Sequence, residues 1–217
     1  GEDELLNNMR IGCKDPSSDR DSKDLGRFGS GMKTASFSQA RSLTVISKTK
    51  DGDVCGARWD IDKIETSDSW CLQRLETVDI NNLILEGKVN IGVQGTHVIW
   101  HSLTCYQKGS HSLDHDNELA KHIVSLRTHL GLHFHRFLEG KSKCKFFINN
   151  QLILPIDPFL TMSHGYQEGR SEKFRCKGGH VVIKTHVLPP FSRMSKKHID
   201  SLGGAMDIAQ KQGLYIY

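Results

Sequence analysis

The sequence lacks any long apolar segment. No run approaches the roughly 18 apolar residues that a membrane-spanning helix needs, and charged residues make up 25% of the 217 residues. The first ten residues, GEDELLNNMR, are acidic and polar, whereas a signal peptide starts basic and then becomes apolar. We therefore expect a cytoplasmic protein with no membrane partner.

Paired cysteines and blocks of like charge are also missing. The six cysteines include no C-x-x-C pair, which argues against a zinc module, and a chain of this length folds without disulfides, so reduced thiols are expected. The net charge is only +4, and the basic residues are scattered. This balance permits contact with nucleic acid without arguing for it.

The hydrophobic patterns in the first half of the chain predict a mixed domain of helices and strands. In chain order they indicate an amphipathic turn at 5–11, an exposed loop at 13–24, a helix at 32–41, and strands of one sheet at 42–48, 54–61 and 95–103.

A polar stretch between Gln107 and Asp116 predicts a domain boundary. The strongest helical pattern follows at 117–138, with Asp116 before it and Gly140 after it. Further elements are expected as two strands around Asn149–Asn150, a strand at 180–188, a helix at 194–212 weakened by Gly203 and Gly204, and a strand at 213–217.

The most informative segment is the glycine-rich loop DLGRFGSGMK at 24–33. Its glycines allow close approach of a ligand to the backbone, and the first N–H groups of the following helix favour an anion. The loop is not a Walker A loop because Met32 precedes Lys33, and its G-x-x-G-x-G order differs from the Rossmann order. A kinase loop would continue into a strand. Taken alone, the segment is equally explained as a packing turn that caps a helix.

A longer region carries a family resemblance. IGCKDPSSDRDSKDLGRFGSGMKTASFSQARSLTVISK, at 11–48, resembles the lid and glycine-box region of MutL and MORC ATPases. Gly95-Thr96-His97-Val98 resembles the last nucleotide-binding box of the same superfamily, a glycine-threonine pair at the start of a strand. The chain thus resembles GHKL (Bergerat-fold) ATPases, the superfamily of gyrase, heat-shock chaperone, histidine kinase and MutL.

The resemblance implies an α+β fold. It predicts a two-layer sandwich of Bergerat type at 1–108, in which a mixed, mostly antiparallel sheet carries helices on one face. KFFINNQLILPIDPF and GLYIY resemble segments of MORC-like and related bacterial proteins, which implies the start of a ribosomal S-five-like transducer domain at 109–217.

The resemblance also implies an ATP site. Glycines would wrap the triphosphate with help from backbone N–H groups, Lys33 and Lys14 would offset its charge, and Thr96 would hydrogen-bond toward the adenine edge. The predicted binding residues are Gly26, Arg27, Phe28, Gly29, Ser30, Gly31, Met32, Lys33, Thr96 and Lys14.

Two parts of the family pattern are not found in the chain. One is the helix with a water-activating glutamate and a magnesium-binding asparagine, and the other is the Asp-x-Gly-x-Gly box that reads adenine. Phosphoryl transfer fails without a positioned water and metal. We therefore expect ATP hydrolysis by the parent protein, Mg²⁺ ligands outside this chain, no catalytic residue within it, and negligible turnover by the chain alone.

The leading functional hypothesis is a MORC- or MutL-like ATPase whose ATP-bound state closes a dimeric clamp in DNA repair, restriction or chromatin processes. It implies a homodimer, and DNA as a partner of the full-length protein. A non-hydrolysing nucleotide-binding or scaffolding module is the first alternative, and a chaperone-type ATPase acting on proteins is the second.

Other candidate sites are weaker. His122, His129 and His133 share a predicted helix stripe without the glutamate of an H-E-x-x-H zinc site, so a solvated flank is favoured over a metal site. The three tryptophans lie near strands and are interpreted as packing residues.

Overall fold

The computed structural model describes residues 1–13, 15, 17, 19, 26, 28–104, 112–140, 144–210 and 212–216. The chain forms two compact units, Gly1–Ser110 and His111–Tyr217. The identities expected for the two parts, an ATP-binding domain at 1–108 and a transducer domain at 109–217, stay predictions. Within the described residues, no helix is both long and apolar enough to cross a membrane.

The first unit contains four helices and four strands among its described residues. They are α1 (Glu2–Met9), α2 (Gly31–Gln39), β1 (Ala40–Lys48), β2 (Cys55–Asp60), α3 (Ile61–Ser67), β3 (Gln73–Arg74), α4 (Thr77–Leu85) and β4 (Gly95–Leu103). Two of the helices directly flank strands: α2 runs into β1, and α3 follows β2, where the side chain of Asp60 accepts a hydrogen bond from the N–H of Lys63.

The strands form one antiparallel sheet in the order β3-β2-β1-β4. β1 lies between β2 and β4, so that Leu43 pairs with Trp59 on one side and with Trp100 on the other. Because β1 is covered on both faces, residues 42–46 are all buried.

Apolar side chains pack against both faces of this sheet. Successive residues of a strand point to opposite faces, so Val45 and Ile46 belong to different clusters. The first cluster contains Met9, Leu43, Val45, Ala57 and Trp59, with Leu5, Leu6 and Phe37 from α1 and α2 packed against it. The second contains Ile46, Leu75, Ile80, Leu83 and Val89.

The predicted fold class is confirmed, since an antiparallel sheet is combined with packed helices. The expectation that helices lie on only one face is wrong, because α4 packs Ile80 and Leu83 on the face opposite α1 and α2. The predicted helix and strands are also confirmed in the first unit, and the strand at 95–103 has the predicted bounds.

The second unit is built from one long helix, several short helices and two strand pairings among its described residues. Its described elements are α5 (Ser112–His133), α6 (His135–Glu139), β5 (Phe147–Ile148), β6 (Gln151–Leu152), β7 (Gln167–Cys176), β8 (Gly179–Val187), a 3₁₀ turn (Phe191–Arg193), α7 (Lys196–Ser201) and α8 (Ala205–Gln210). β5 pairs with β6 and β7 with β8. A buried cluster of Leu132, Leu160, Leu202 and Ile208 joins these elements.

Predictions for this unit have mixed outcomes. The turn at Asn149–Asn150 is confirmed, with φ of 49° and 63° at the two residues. The predicted helix at 117–138 starts earlier, at Ser112, and is interrupted at Phe134. The helix at 194–212 is divided into α7 and α8 at Gly203 and Gly204.

One strand prediction failed and one strand was missed. The segment at 213–217 is not a strand at its described residues 213–216, because a strand needs a hydrogen-bonded neighbour and Leu214 and Ile216 are more than four-fifths exposed. The ten residues of β7, QEGRSEKFRC, were not predicted as a strand. They contain few apolar residues, so no periodic pattern indicates their pairing.

Candidate nucleotide-binding site

A cavity of about 560 Å³ lies in the first unit, between α1, the first turn of α2, the end of β1 and the start of β4. Met32 contributes to its wall from α2, and Gly95 and Thr96 contribute from β4. Its size falls in the range of roughly 300–1,000 Å³ that is common for small-molecule sites. The cavity therefore brings Met32, which follows the last glycine of the glycine-rich loop, and the glycine-threonine pair to one place.

The amino end of α2 presents N–H groups that have no acceptor among the described residues. The first hydrogen bond of this helix joins the N–H of Thr34 to the carbonyl of Ser30, at 3.0 Å. The N–H groups of Gly31, Met32 and Lys33 come before it and have no acceptor within the helix, and the side chain of Ser30 does not cap them. A Cβ added at Gly31 would meet nothing within 4 Å. This open, donor-rich turn suits an anion.

Lys33 is 98% buried, and its ammonium is hydrogen-bonded to α1. Its Nζ donates to the carbonyl oxygen of Asn8 at 2.6 Å and lies 3.9 Å from the sulfur of Cys13. Carbonyls in the last turn of a helix favour a cation. In this structure Lys33 therefore links α2 to the end of α1, and its contact with phosphate stays a prediction.

Thr96 lies at the start of β4, beside the end of β1. Its hydroxyl is 2.9 Å from the hydroxyl of Ser47, and the strand register pairs Ser47 with Thr96 and Lys48 with Gly95. Ser47 and Lys48 also line the cavity. Sequence reasoning missed both because only the β1–β4 register brings them beside the glycine-threonine pair.

The charged side chains on the cavity wall balance one another. Lys48 and Lys50 contribute two positive charges, and Glu4 and Asp53 contribute two negative ones. Cys55 also lines the wall, and burial raises the pKa of its thiol, so it stays neutral at pH 7. Attraction for a phosphate would therefore depend on the amides of α2 more than on these side chains.

The remaining predicted residues are placed as follows. Gly29 has a φ of 62° in the turn before α2, and Phe28 is 54% exposed. Gly26, Phe28, Gly29, Ser30, Gly31 and Lys33 do not themselves line the cavity, whereas Met32 and Thr96 do. Lys14 and Arg27 lie outside the described residues. The predicted set of binding residues stays a prediction.

The histidine stripe and the tryptophans take structural positions. The rings of His129 and His133 stack with centroids 4.0 Å apart. Trp59 packs in the core and Trp100 donates to the hydroxyl of Ser36. Across the part of the chain that the structure describes, no three His, Cys, Asp or Glu side chains are grouped to hold a metal ion.

A comparison with protein families finds a match in the part of the chain that forms most of the cavity wall. Residues 1–90 match the family model described as histidine kinase-, DNA gyrase B-, and HSP90-like ATPase. This match covers less than half of the chain and supports the resemblance of its first part to GHKL-type ATPases. The matched region includes α1, α2 and the glycine-rich loop and ends before Thr96. Comparison with curated proteins found no match.

Proposed function

We propose that the first unit is the ATP-binding part of a MORC- or MutL-like GHKL protein, in which ATP drives a clamp or conformational switch. The observation that carries this proposal is the single cavity whose wall includes Met32 at the amino end of α2 and Thr96 at the start of β4. These residues are separated by 64 positions, yet each belongs to a segment that resembles a nucleotide-binding box.

The triphosphate would bind at the amino end of α2. The N–H groups of Gly31, Met32 and Lys33 have no acceptor within the helix, and the space beside Gly31 is open. Gly26 and Gly29 would let the loop close over the phosphates, and Lys14, Arg27 and Phe28 would complete it. Thr96 would hydrogen-bond toward the base, with Ser47 holding its hydroxyl in place.

Mg²⁺ would accompany the nucleotide and stabilise the charge that develops on phosphoryl transfer. Its ligands and the residue that orients water are expected outside this chain. The role of the residues described here is therefore to bind and position the nucleotide. Negligible magnesium-dependent turnover is accordingly expected from the 217-residue chain alone.

ATP-dependent closure of a homodimeric clamp on DNA, in repair, restriction or chromatin processes, is the proposed biological role. A scaffold that binds nucleotide without hydrolysis would show binding but no turnover in the full-length protein. A chaperone-type ATPase would show turnover without salt-dependent DNA binding.

The direct test is titration of ATP against the protein and two variants. Gly31→Ala places a methyl group in the open space before the free amides, and Thr96→Val removes one hydroxyl while keeping the shape of the side chain. We expect each to weaken ATP binding by roughly tenfold. The methyl group of Gly31→Ala would keep the phosphates away from the amides, and Thr96→Val loses a hydrogen bond worth about 1–1.5 kcal/mol.

Thr66→Val is the matched control, since it makes the same replacement on the exposed face of α3, where the Thr66 hydroxyl bonds only the carbonyl of Asp62. The proposal is rejected if the two site variants and the Thr66→Val control all bind ATP as tightly as the unmodified protein. It is also rejected if Thr66→Val weakens binding equally.

A further inference from the structure

The β7–β8 hairpin of the second unit is long and solvent-exposed. β7 and β8 pair from Gln167–Val187 to Cys176–Gly179, and the tip is the two-residue turn Lys177–Gly178. All residues of the two strands except Gly169 and His186 are exposed. At about 3.3 Å per residue, the ten-residue β7 spans roughly 30 Å.

The two faces of this hairpin differ in chemistry. Residues that pair across an antiparallel ladder lie on the same face. The pairs Lys173–Val182, Arg175–His180 and Ser171–Lys184 therefore define a basic face. The pairs Phe174–Val181 and Glu172–Ile183 define the other face, which is mainly apolar.

The cations of the hairpin exceed its anions. Its cations are Arg170, Lys173, Arg175, Lys177 and Lys184, and its anions are Glu168 and Glu172. Glu168 forms an ion pair with Lys184 near the base of the hairpin. Within the described residues no ion pair involves Lys173, Arg175 or Lys177, so the outer half of the basic face carries uncompensated charge.

We infer that the outer half of the β7–β8 hairpin binds double-stranded DNA through Lys173, Arg175 and Lys177. A two-stranded ribbon fits the major groove of DNA, which is about 12 Å wide. Lys173 and Arg175 lie two residues apart on one strand, about 7 Å, and meet a partner that carries one negative charge per roughly 1.7 Å of its axis.

DNA fits this surface better than two other anionic partners. The major groove of an RNA duplex is too narrow to admit side chains. An anionic membrane would be met by the apolar face of an amphipathic element, and here that face carries Glu172, a carboxylate that is costly to bury and is repelled by anionic lipid.

The test measures binding of the full chain to a 20-base-pair DNA duplex by fluorescence anisotropy, between about 50 and 200 mM salt. Lys173→Gln combined with Arg175→Gln should weaken binding. It should also make the negative slope of log K against log salt less steep by about 1.8, since each phosphate contact contributes about 0.9. Lys196→Gln combined with Lys197→Gln on α7 removes the same charge from exposed positions and should leave the slope unchanged.

Three results would overturn the inference. The first is an unchanged slope in the hairpin variant, and the second is an equal loss in the α7 control. The third is binding to anionic phosphatidylserine vesicles, lost in the hairpin variant, without any binding to the duplex. The inference rests on the proposed role on DNA and names the surface that would contact it. ATP titration of the hairpin variant separates the two, because Gly31 and Thr96 are intact in it.

Discussion

Replacing Lys33 by methionine tests whether this lysine is first of all a structural link between α1 and α2. The ammonium donates to the carbonyl oxygen of Asn8 at 2.6 Å, and the side chain is 98% buried. Methionine keeps much of the volume of the lysine stem but cannot donate. The carbonyl of Asn8 then keeps only the weak, long contact with the thiol of Cys13 at 3.8 Å.

The expected change in the free energy of unfolding combines two effects of opposite sign. A hydrogen bond from a charged donor contributes about 1.5–3 kcal/mol, and this contribution is lost in the variant. Removing a buried ammonium also removes its desolvation cost, which acts in the opposite direction. We expect a net loss of about 2 kcal/mol, which is roughly a 30-fold change in the folding equilibrium and about 10 °C in the unfolding midpoint.

Tryptophan fluorescence measures this effect in the first unit alone, because all three tryptophans, Trp59, Trp70 and Trp100, lie in that unit. Thermal unfolding is followed without nucleotide, so any role of Lys33 in ATP binding does not contribute. Lys50→Met is the matched control, since Lys50 is exposed and makes no hydrogen bond or ion pair with the described residues. A Lys33→Met variant that unfolds at the same temperature as the unmodified chain, or at a higher one, would refute the structural role.

Two further predictions concern the second unit. Gly131→Ala should destabilise the second unit by about 1–3 kcal/mol, because the new Cβ would lie 2.8 Å from the carbonyl oxygen of Leu154. This loss is expected although alanine ordinarily favours a helix over glycine by about 1 kcal/mol. Faster amide hydrogen exchange in α5 would report the loss, and unchanged or slower exchange would contradict the packing. Burial alone would raise the pKa of Asp157, but hydrogen bonds from Thr161 and from the N–H of Phe159 outweigh it and hold the pKa below its ordinary value. Its stabilising effect is therefore present above the unfolded pKa of about 3.9 and lost as pH falls through the folded pKa. Asp157→Asn should cost about 1–2 kcal/mol at pH 7 and almost nothing near pH 2, measured by urea unfolding with circular dichroism, whereas a difference independent of pH would be evidence against this carboxylate role.

Local patterns in the sequence were sufficient for several elements. The alternation in GTHVIWHSL predicted β4 with its observed bounds, and Asn149–Asn150 predicted a turn because asparagine tolerates positive φ. The glycine-rich loop predicted donors at the start of a helix, because glycine spacing and helix ends are properties of neighbouring residues.

Other features depended on residues that are distant along the chain. The side-chain partner of Lys33 is a carbonyl 25 positions earlier, and the neighbour of Thr96 is Ser47, 49 positions earlier. The strand at 213–217 was predicted from its apolar residues, but its described part has no hydrogen-bonded neighbour in the sheets.

The basic face of the hairpin also depends on residues that are brought together only by folding. In the sequence, Lys173 and Arg175 are scattered among polar residues, and no block of positive charge is apparent. Pairing with β8 places both on one face, with Phe174 on the other. The sequence by itself determined the helix after the glycine-rich loop, the turn at Asn149–Asn150 and the strand at 95–103, because these depend on neighbouring residues, but it did not indicate α3 or α4. The tertiary structure decided which side chains share a cavity or a face, because strand register and packing bring together residues that the chain keeps apart.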